Sequence, residues 1–205
     1  MRLLRLAKIF SVAHRHGIDQ MLVEHEPSGR LAALCRFLHL WRRQDEPEAV
    51  RLRLFLESLG PIFVKFGQVL STRRDLLPRD IADELAKLQD RVPPFPAEQV
   101  HAQIEAAYGR SAAEVFAEFD ETPVASASVA QVHFARLRPE NGGHAVAVKI
   151  LRPAMEGVIA YDLGLLDALA GVLETVWSDG KRLKPREVVA EFAKYLYDEL
   201  DLMRE

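Results

Sequence analysis

The sequence predicts an α+β fold: a helical first half, a small antiparallel sheet, then two further helices. Three observations predict it. Up to about Arg110, apolar residues recur at helical spacing between glycine and proline stops. From Val115 to Leu151 the chain alternates and is rich in β-branched residues, around the turn Glu140-Asn141-Gly142-Gly143. Beyond it, Gly157–Trp177 and Arg186–Glu205 return to helical spacing, split by Ser178-Asp179-Gly180.

Residues 1–23 carry Arg2, Arg5, Lys8 and Arg15 before the first acid, Asp19, with Leu3, Leu4, Leu6, Ile9, Phe10 and Val12 between them. That spacing predicts one basic amphipathic helix, suited to an anionic membrane surface or to ordinary packing. A second helix is expected over Glu48–Leu59, stopped by Gly60-Pro61. Pro78–Leu88 and Ala97–Tyr108 follow, separated by the breaker Val92-Pro93-Pro94-Phe95-Pro96, and Gly109 closes the second. In the β region, Val132, Phe134 and Arg136 are expected to lie against Ala145–Ile150 as a hairpin. The expected divisions are an amphipathic region 1–45, a helical region 46–110 and a sheet-bearing region 111–205.

Bulk properties exclude several classes. The 205 residues are 49% hydrophobic and 28% charged, with formal net charge −3, so no overall field favours nucleic acid. Cys35 is the single cysteine, which forbids an intrachain disulfide. Seven histidines form no H-E-x-x-H or Cys/His cluster, so no metal ligands are assigned. The most apolar run, Leu163 to Trp177, contains Asp167 and Glu174 and falls short of the roughly 20 residues a membrane span needs.

The chemistry concentrates on the hairpin. Ala125-Ser126-Ala127-Ser128-Val129-Ala130-Gln131-Val132 follows the kinase phosphate-loop pattern G-x-G-x-x-G-x-V, with alanine at each glycine position and the valine kept. Ala145-Val146-Ala147-Val148-Lys149 then resembles the V-A-I-K strand, whose lysine holds the α- and β-phosphates. Small residues on one arm and a lysine on the other suit a triphosphate, because amides approach the oxygens and the ammonium neutralises charge. Alanine stiffens such a loop relative to glycine, so phosphates should be gripped differently from those in an ordinary kinase. The last helix offers Glu199, Asp201 and Glu205, the last two sharing a face at four-residue spacing. Lys65 and Gln68 share another helical face, with Gly67 between them suiting close approach.

Five blocks in order resemble the UbiB/ADCK atypical kinases across residues 50–205. Leu59 to Arg73 is similar to the K-x-G-Q block of that family. Asp75-Leu76-Leu77-Pro78 with Leu88–Pro94 continues its pattern, Pro123–Val132 resembles its alanine-rich loop, Val146–Pro153 its lysine strand, and Glu199-Leu200-Asp201 its E-x-D motif. The resemblance implies a helical extension followed by a partial kinase-like small lobe. Lys65, Gly67 and Gln68 would sit on the extension, over the active site, and meet Glu199 and Asp201. Residues Ala125, Ser126, Ala127, Ser128, Val129, Ala130 and Val132 would form the nucleotide loop, with Lys149 on the phosphates and Glu205 as its helix partner.

The same resemblance implies ATP with Mg²⁺ as cofactors and a role in ubiquinone biosynthesis. Its expected partners are anionic membrane lipid, a quinone precursor and other quinone-biosynthesis proteins. The expected location is cytoplasmic, peripheral to the inner membrane. Arg74-Asp75-Leu76 and Asp162-Leu163-Gly164 mimic the catalytic loop and D-F-G but stand out of order. No catalytic residue is therefore assigned. The 205 residues are expected to be an N-terminal portion that does not turn over ATP alone, and a non-catalytic lipid- or protein-binding module is the competing expectation.

Overall fold

A computed structural model describes residues 2–25, 45–89, 92–176 and 180–201. The chain divides into two compact units, Met1–Gln89 with Ala160–Glu205, and Asp90–Ile159. These do not follow the linear divisions expected above. Helix Ala97–Tyr108 belongs with the sheet because Val100 and Ile104 bury their side chains in the sheet's core.

The helical unit opens with α1 (Arg2–Arg15) and α2 (Ile18–His25). The single helix expected over 1–23 is thus broken, at Gly17, which takes a φ of 65°. Ile9 and Val12 are buried, while Phe10 is 65% exposed. Then come α3 (Glu48–Leu59), α4 (Pro61–Thr72) and α5 (Arg79–Leu85), which pack on one another. Pro61 fits the first turn of α4, where its missing N–H leaves no bond unmade. Helix α5 ends three residues before the expected Leu88, and the chain turns at Ala86-Lys87. Phe55, Leu56, Leu59, Ile62, Phe63, Leu85 and Leu88 are all buried.

The sheet unit starts at the proline-rich connector and α6 (Ala97–Tyr108). A short helix, α7 (Ala112–Val115), precedes the sheet, and strand begins at Phe116 rather than at the expected Val115. Ser111 starts it: its N–H and its hydroxyl both donate to the Glu114 carboxylate, 2.9 and 2.7 Å away.

Strands β1 (Phe116–Phe119), β2 (Ala125–Ser126), β3 (Ala130–Leu137) and β4 (Ala145–Leu151) form one antiparallel sheet. Both β1 and β2 pair with β3, which also pairs with β4. The expected hairpin forms, and its register sets Val132 against Lys149, Phe134 against Ala147 and Arg136 against Ala145. Gly142 and Gly143 turn the chain at φ 96° and 65°, values that side chains with a Cβ resist.

Alternation gives the sheet two unlike faces. Gln131, His133, Ala135 and Ile150 are buried on one, with Phe95, Val100, Ile104, Val115 and Phe116 in the same core. Phe134, Arg136, Ala145 and Ala147 are exposed on the other.

After the sheet come α8 (Met155–Val176), α9 (Gly180–Leu183) and α10 (Pro185–Leu200). Helix α10 was expected to run to Glu205. It ends at Leu200, where Asp201 takes a non-helical C-cap conformation, and the face expected to carry Asp201 and Glu205 together reaches beyond the described residues. Glu205, Cys35 and the breaker Ser178-Asp179 lie outside the described residues. Among the described residues no helix is long and apolar enough to cross a membrane.

Candidate functional site

The sheet unit carries the first group of candidate residues. Ala125 is register partner to Val132 on one side of β3, and Lys149 is partner to Val132 on the other. Register partners point to the same face, so these three form one row across the open face of the sheet. Val132 and Lys149 are half-buried and Ala125 is exposed. Next in register stand Phe134, 56% exposed, and Ala147. An apolar strip therefore runs beside an ammonium group.

The alanine-rich loop between β2 and β3 is tight. The Ala127 N–H donates to the Ala130 carbonyl at 2.9 Å, leaving only Ser128 and Val129 at the tip. None of the residues from Ala125 to Ala130 has a positive φ. Alanine thus fits every position without strain, and glycine's extra freedom is not needed to form the turn. Ser128 and Val129 are buried, at 1% and 2% exposure, as is Ala130. Their side chains are packing elements, and what the loop offers a ligand is backbone.

Two residues absent from the sequence reading hold this loop and its surroundings. The Arg152 guanidinium donates through Nε to the Ala127 carbonyl (3.0 Å) and through Nη2 to Ser126 Oγ (2.9 Å) and the Pro93 carbonyl (2.8 Å). It also lies 5.4 Å from the centre of the Phe95 ring. His133 is fully buried and stacks on Phe119, with ring centres 5.2 Å apart. Its Nδ1 lies 2.8 Å from the Asp120 carbonyl, which can only accept, so Nδ1 carries the proton. Nε2 then accepts from the Gln131 amide at 2.9 Å, and Gln131 Oε1 accepts from the Phe95 N–H at 3.0 Å. Arginine following a strand is too common for its position alone to have marked Arg152.

The helical unit holds the second group. Lys65 on α4 donates to Glu199 Oε1 on α10 at 2.7 Å, with side-chain exposures of 10% and 24%. Glu199 Oε2 is buried and accepts no hydrogen bond among the described residues. Gly67 lies where a Cβ would sit 2.4 Å from Leu88 Cδ1 and 2.8 Å from Leu56 Cδ1, so its bare backbone is needed for α4 to approach its neighbours. Gln68 donates to the Leu88 carbonyl at 3.0 Å, one turn along from Lys65. Asp201 is half-buried, its N–H donating to the Asp198 carbonyl.

A groove of about 450 Å³ lies beside this group, lined by Lys65, Val69, Arg73, Val188, Phe192 and Tyr195. Phe192 also packs edge-on against Phe66, at 5.1 Å. Arg73 closes one end, hydrogen-bonded to Asp75 and Glu191 at 3.0 Å each. Those bonds, led by the one from Asp75, raise the Arg73 pKa further, and the Arg73 bond holds the Asp75 carboxyl below its ordinary value.

Among the described residues no three His, Cys, Asp or Glu side chains converge as a metal cage.

A family model described as the ABC1 atypical kinase-like domain matches residues 87–205, more than half of the chain. The match spans the alanine-rich loop, Lys149, Glu199 and Asp201, and starts after Lys65, Gly67 and Gln68. The glycine-free loop, the lysine strand and the E-x-D segment at the end of α10 follow one another in that order inside it. The chain belongs to the ABC1 atypical kinase-like family.

Proposed function

We propose that this chain carries the nucleotide-binding sheet of an atypical kinase-like ATPase of the UbiB/ADCK type, and that it binds ATP. The single observation behind this is the row of Ala125, Val132 and Lys149 across the open sheet face. Val132, Ala147 and Phe134 supply an apolar surface for a base, and Lys149 a charge for phosphate oxygens. Within Ser126–Ala130, amides other than that of Ala127, which bonds the Ala130 carbonyl, suit an anion as donors. ATP fits these residues: the face is open, its lysine is only half-buried, and the loop tip keeps its own side chains inward. A divalent cation would neutralise phosphate charge when bound, and no ligand for Mg²⁺ is assigned among the described residues.

Nucleotide titration with a fluorescent ATP analogue tests the reading. Saturable binding that weakens at least about tenfold in Lys149→Ala is expected, since a charge-assisted phosphate contact is lost. Wild-type protein that binds no nucleotide, or binds it equally with Lys149→Ala, overturns it.

The wider role we infer is support of ubiquinone biosynthesis at a membrane, from a cytoplasmic, peripheral position. Helix α1 favours it, since its sequence holds Arg2, Arg5, Lys8 and Arg15 and its Phe10 side chain is exposed. Anionic lipid vesicles should therefore retain the protein at low salt and release it as salt rises. Retention unchanged by removal of residues 1–23 would leave α1 a packing helix.

A further inference from the structure

We propose that Arg152 is a positioning residue for the nucleotide loop, fixing the loop's backbone from behind and tying it to the proline-rich connector; this rests on the nucleotide reading above. Arg152 directly follows β4, and its main-chain N–H donates to the Val129 carbonyl at 2.9 Å. Its side chain takes the Ala127 carbonyl, at 3.0 Å. One residue thus engages two loop carbonyls through two different groups. In a planar trans peptide the N–H of the next residue points opposite to the carbonyl. Anchoring the carbonyls of Ala127 and Val129 on the Arg152 side therefore directs the amides of Ser128 and Ala130 away from it. An anion is bound by amide hydrogens and repelled by carbonyl oxygens, so this orientation is what a phosphate loop requires. In a glycine loop the peptides can reorient around the ligand. Here the loop has no glycine, and the orientation is set before any ligand arrives.

The same guanidinium reaches Pro93 at 2.8 Å and Ser126 Oγ at 2.9 Å. Phe95 lies against its face and is itself bonded to Gln131 by its N–H. The connector and the loop are consequently one hydrogen-bonded body, joined through a planar five-donor fork that lysine cannot imitate. A change in the connector should be felt as a change in amide direction at the loop.

The test compares wild type, Arg152→Ala and Arg152→Lys in the full chain, with nucleotide titration, thermal melting and amide hydrogen exchange of the nucleotide-free protein. Arg152→Ala is expected to weaken nucleotide binding on the order of tenfold while the melt stays cooperative. Arg152→Lys keeps the charge but loses the fork, and should recover less than half of that loss in logarithmic terms. Exchange at the Ala127 and Phe95 amides should rise in both variants. Wild-type affinity in either variant overturns the proposal, and in Arg152→Lys it would reduce the effect to charge alone. If Arg152→Ala does not fold, Arg152→Lys and Arg152→Gln give the same readings. Wild type that binds no nucleotide overturns the nucleotide reading itself, and raised exchange would then mark Arg152 as a structural brace only.

Discussion

Lys65 and Glu199 stand 134 positions apart in sequence and 2.7 Å apart in space, joining α4 to α10 by a largely buried ion pair. Glu199 keeps one buried oxygen without a hydrogen bond among the described residues, so Lys65 is the cation that its carboxylate depends on. Removing either partner alone leaves the other charge poorly solvated. A double-mutant cycle with Lys65→Met and Glu199→Gln should give a coupling energy of about 1–3 kcal/mol by urea unfolding. Additive single effects would show that the pair contributes nothing beyond its separate side chains.

Gly67→Ala sets two effects against each other. Alanine favours helix by about 1 kcal/mol over glycine. The new methyl would meet Leu88 and Leu56, both buried, at 2.4 and 2.8 Å, and overpacking of that kind costs about 1–3 kcal/mol. With two close contacts inside a packed core, overpacking should win and the melting temperature should fall. A rise in melting temperature would mean the leucines move aside freely.

In the alanine loop, Ala125→Gly and Ala127→Gly should alter nucleotide affinity more than Ser126→Ala. Glycine frees peptides that alanine holds without strain, whereas Ser126→Ala removes one acceptor of the Arg152 side chain and leaves those at Ala127 and Pro93. Stability should fall by only about 0.4–1 kcal/mol in the glycine variants, through added freedom of the unfolded chain. Dissociation constants measured with and without Mg²⁺ decide this. Equal values for wild type and both glycine variants would remove the loop from the nucleotide site.

Glu84 links α5 to α3 through Arg53 at 2.9 Å and also pairs with Lys87. Its carboxyl is held below the ordinary value of 4.5, first by the Lys87 bond and then by the Arg53 bond. A depressed value in the folded state gives stability that is fully present above pH 4.5 and is lost as pH falls through the folded value. Wild type should melt above Glu84→Gln at neutral pH, with a gap that narrows on acidification below pH 4.5. A gap independent of pH would show that the network acts through neutral hydrogen bonding or shape.

Much of the sheet was legible because its signals are local. Alternation from Val132 to Arg136 and the Gly142-Gly143 turn set the register that brings Val132 opposite Lys149. The short α7 has a local signal of its own in the capping-box spacing of Ser111 and Glu114. The pairing of both β1 and β2 with β3 depends on the chain leaving the ladder between Phe119 and Val124; Asp120 and Pro123 mark a turn there, but they do not say which strand the chain rejoins. The meeting of Lys65 with the E-x-D segment came only from family resemblance, because two charges so far apart carry no mutual spacing signal. Arg152 was invisible for a different reason: its side-chain acceptors at Pro93 and Ala127 are main-chain oxygens, which look the same behind every residue type.

The buried polar pair Gln131 and His133 bears on how the strands find their alignment. Apolar alternation rejects a one-residue slip of β3 along β1, because that slip exchanges the two faces. It does not reject a slip of two, which keeps every side chain on its proper face. His133 bonds Asp120 and Gln131, and Gln131 in turn bonds Phe95, all groups at fixed places along the chain. A two-residue slip along β1 would separate His133 from Asp120 and leave buried polar atoms unpaired, at about 1–3 kcal/mol for each. Two polar side chains that touch no ligand thus fix, against β1 and the connector, the strand whose Val132 faces Lys149.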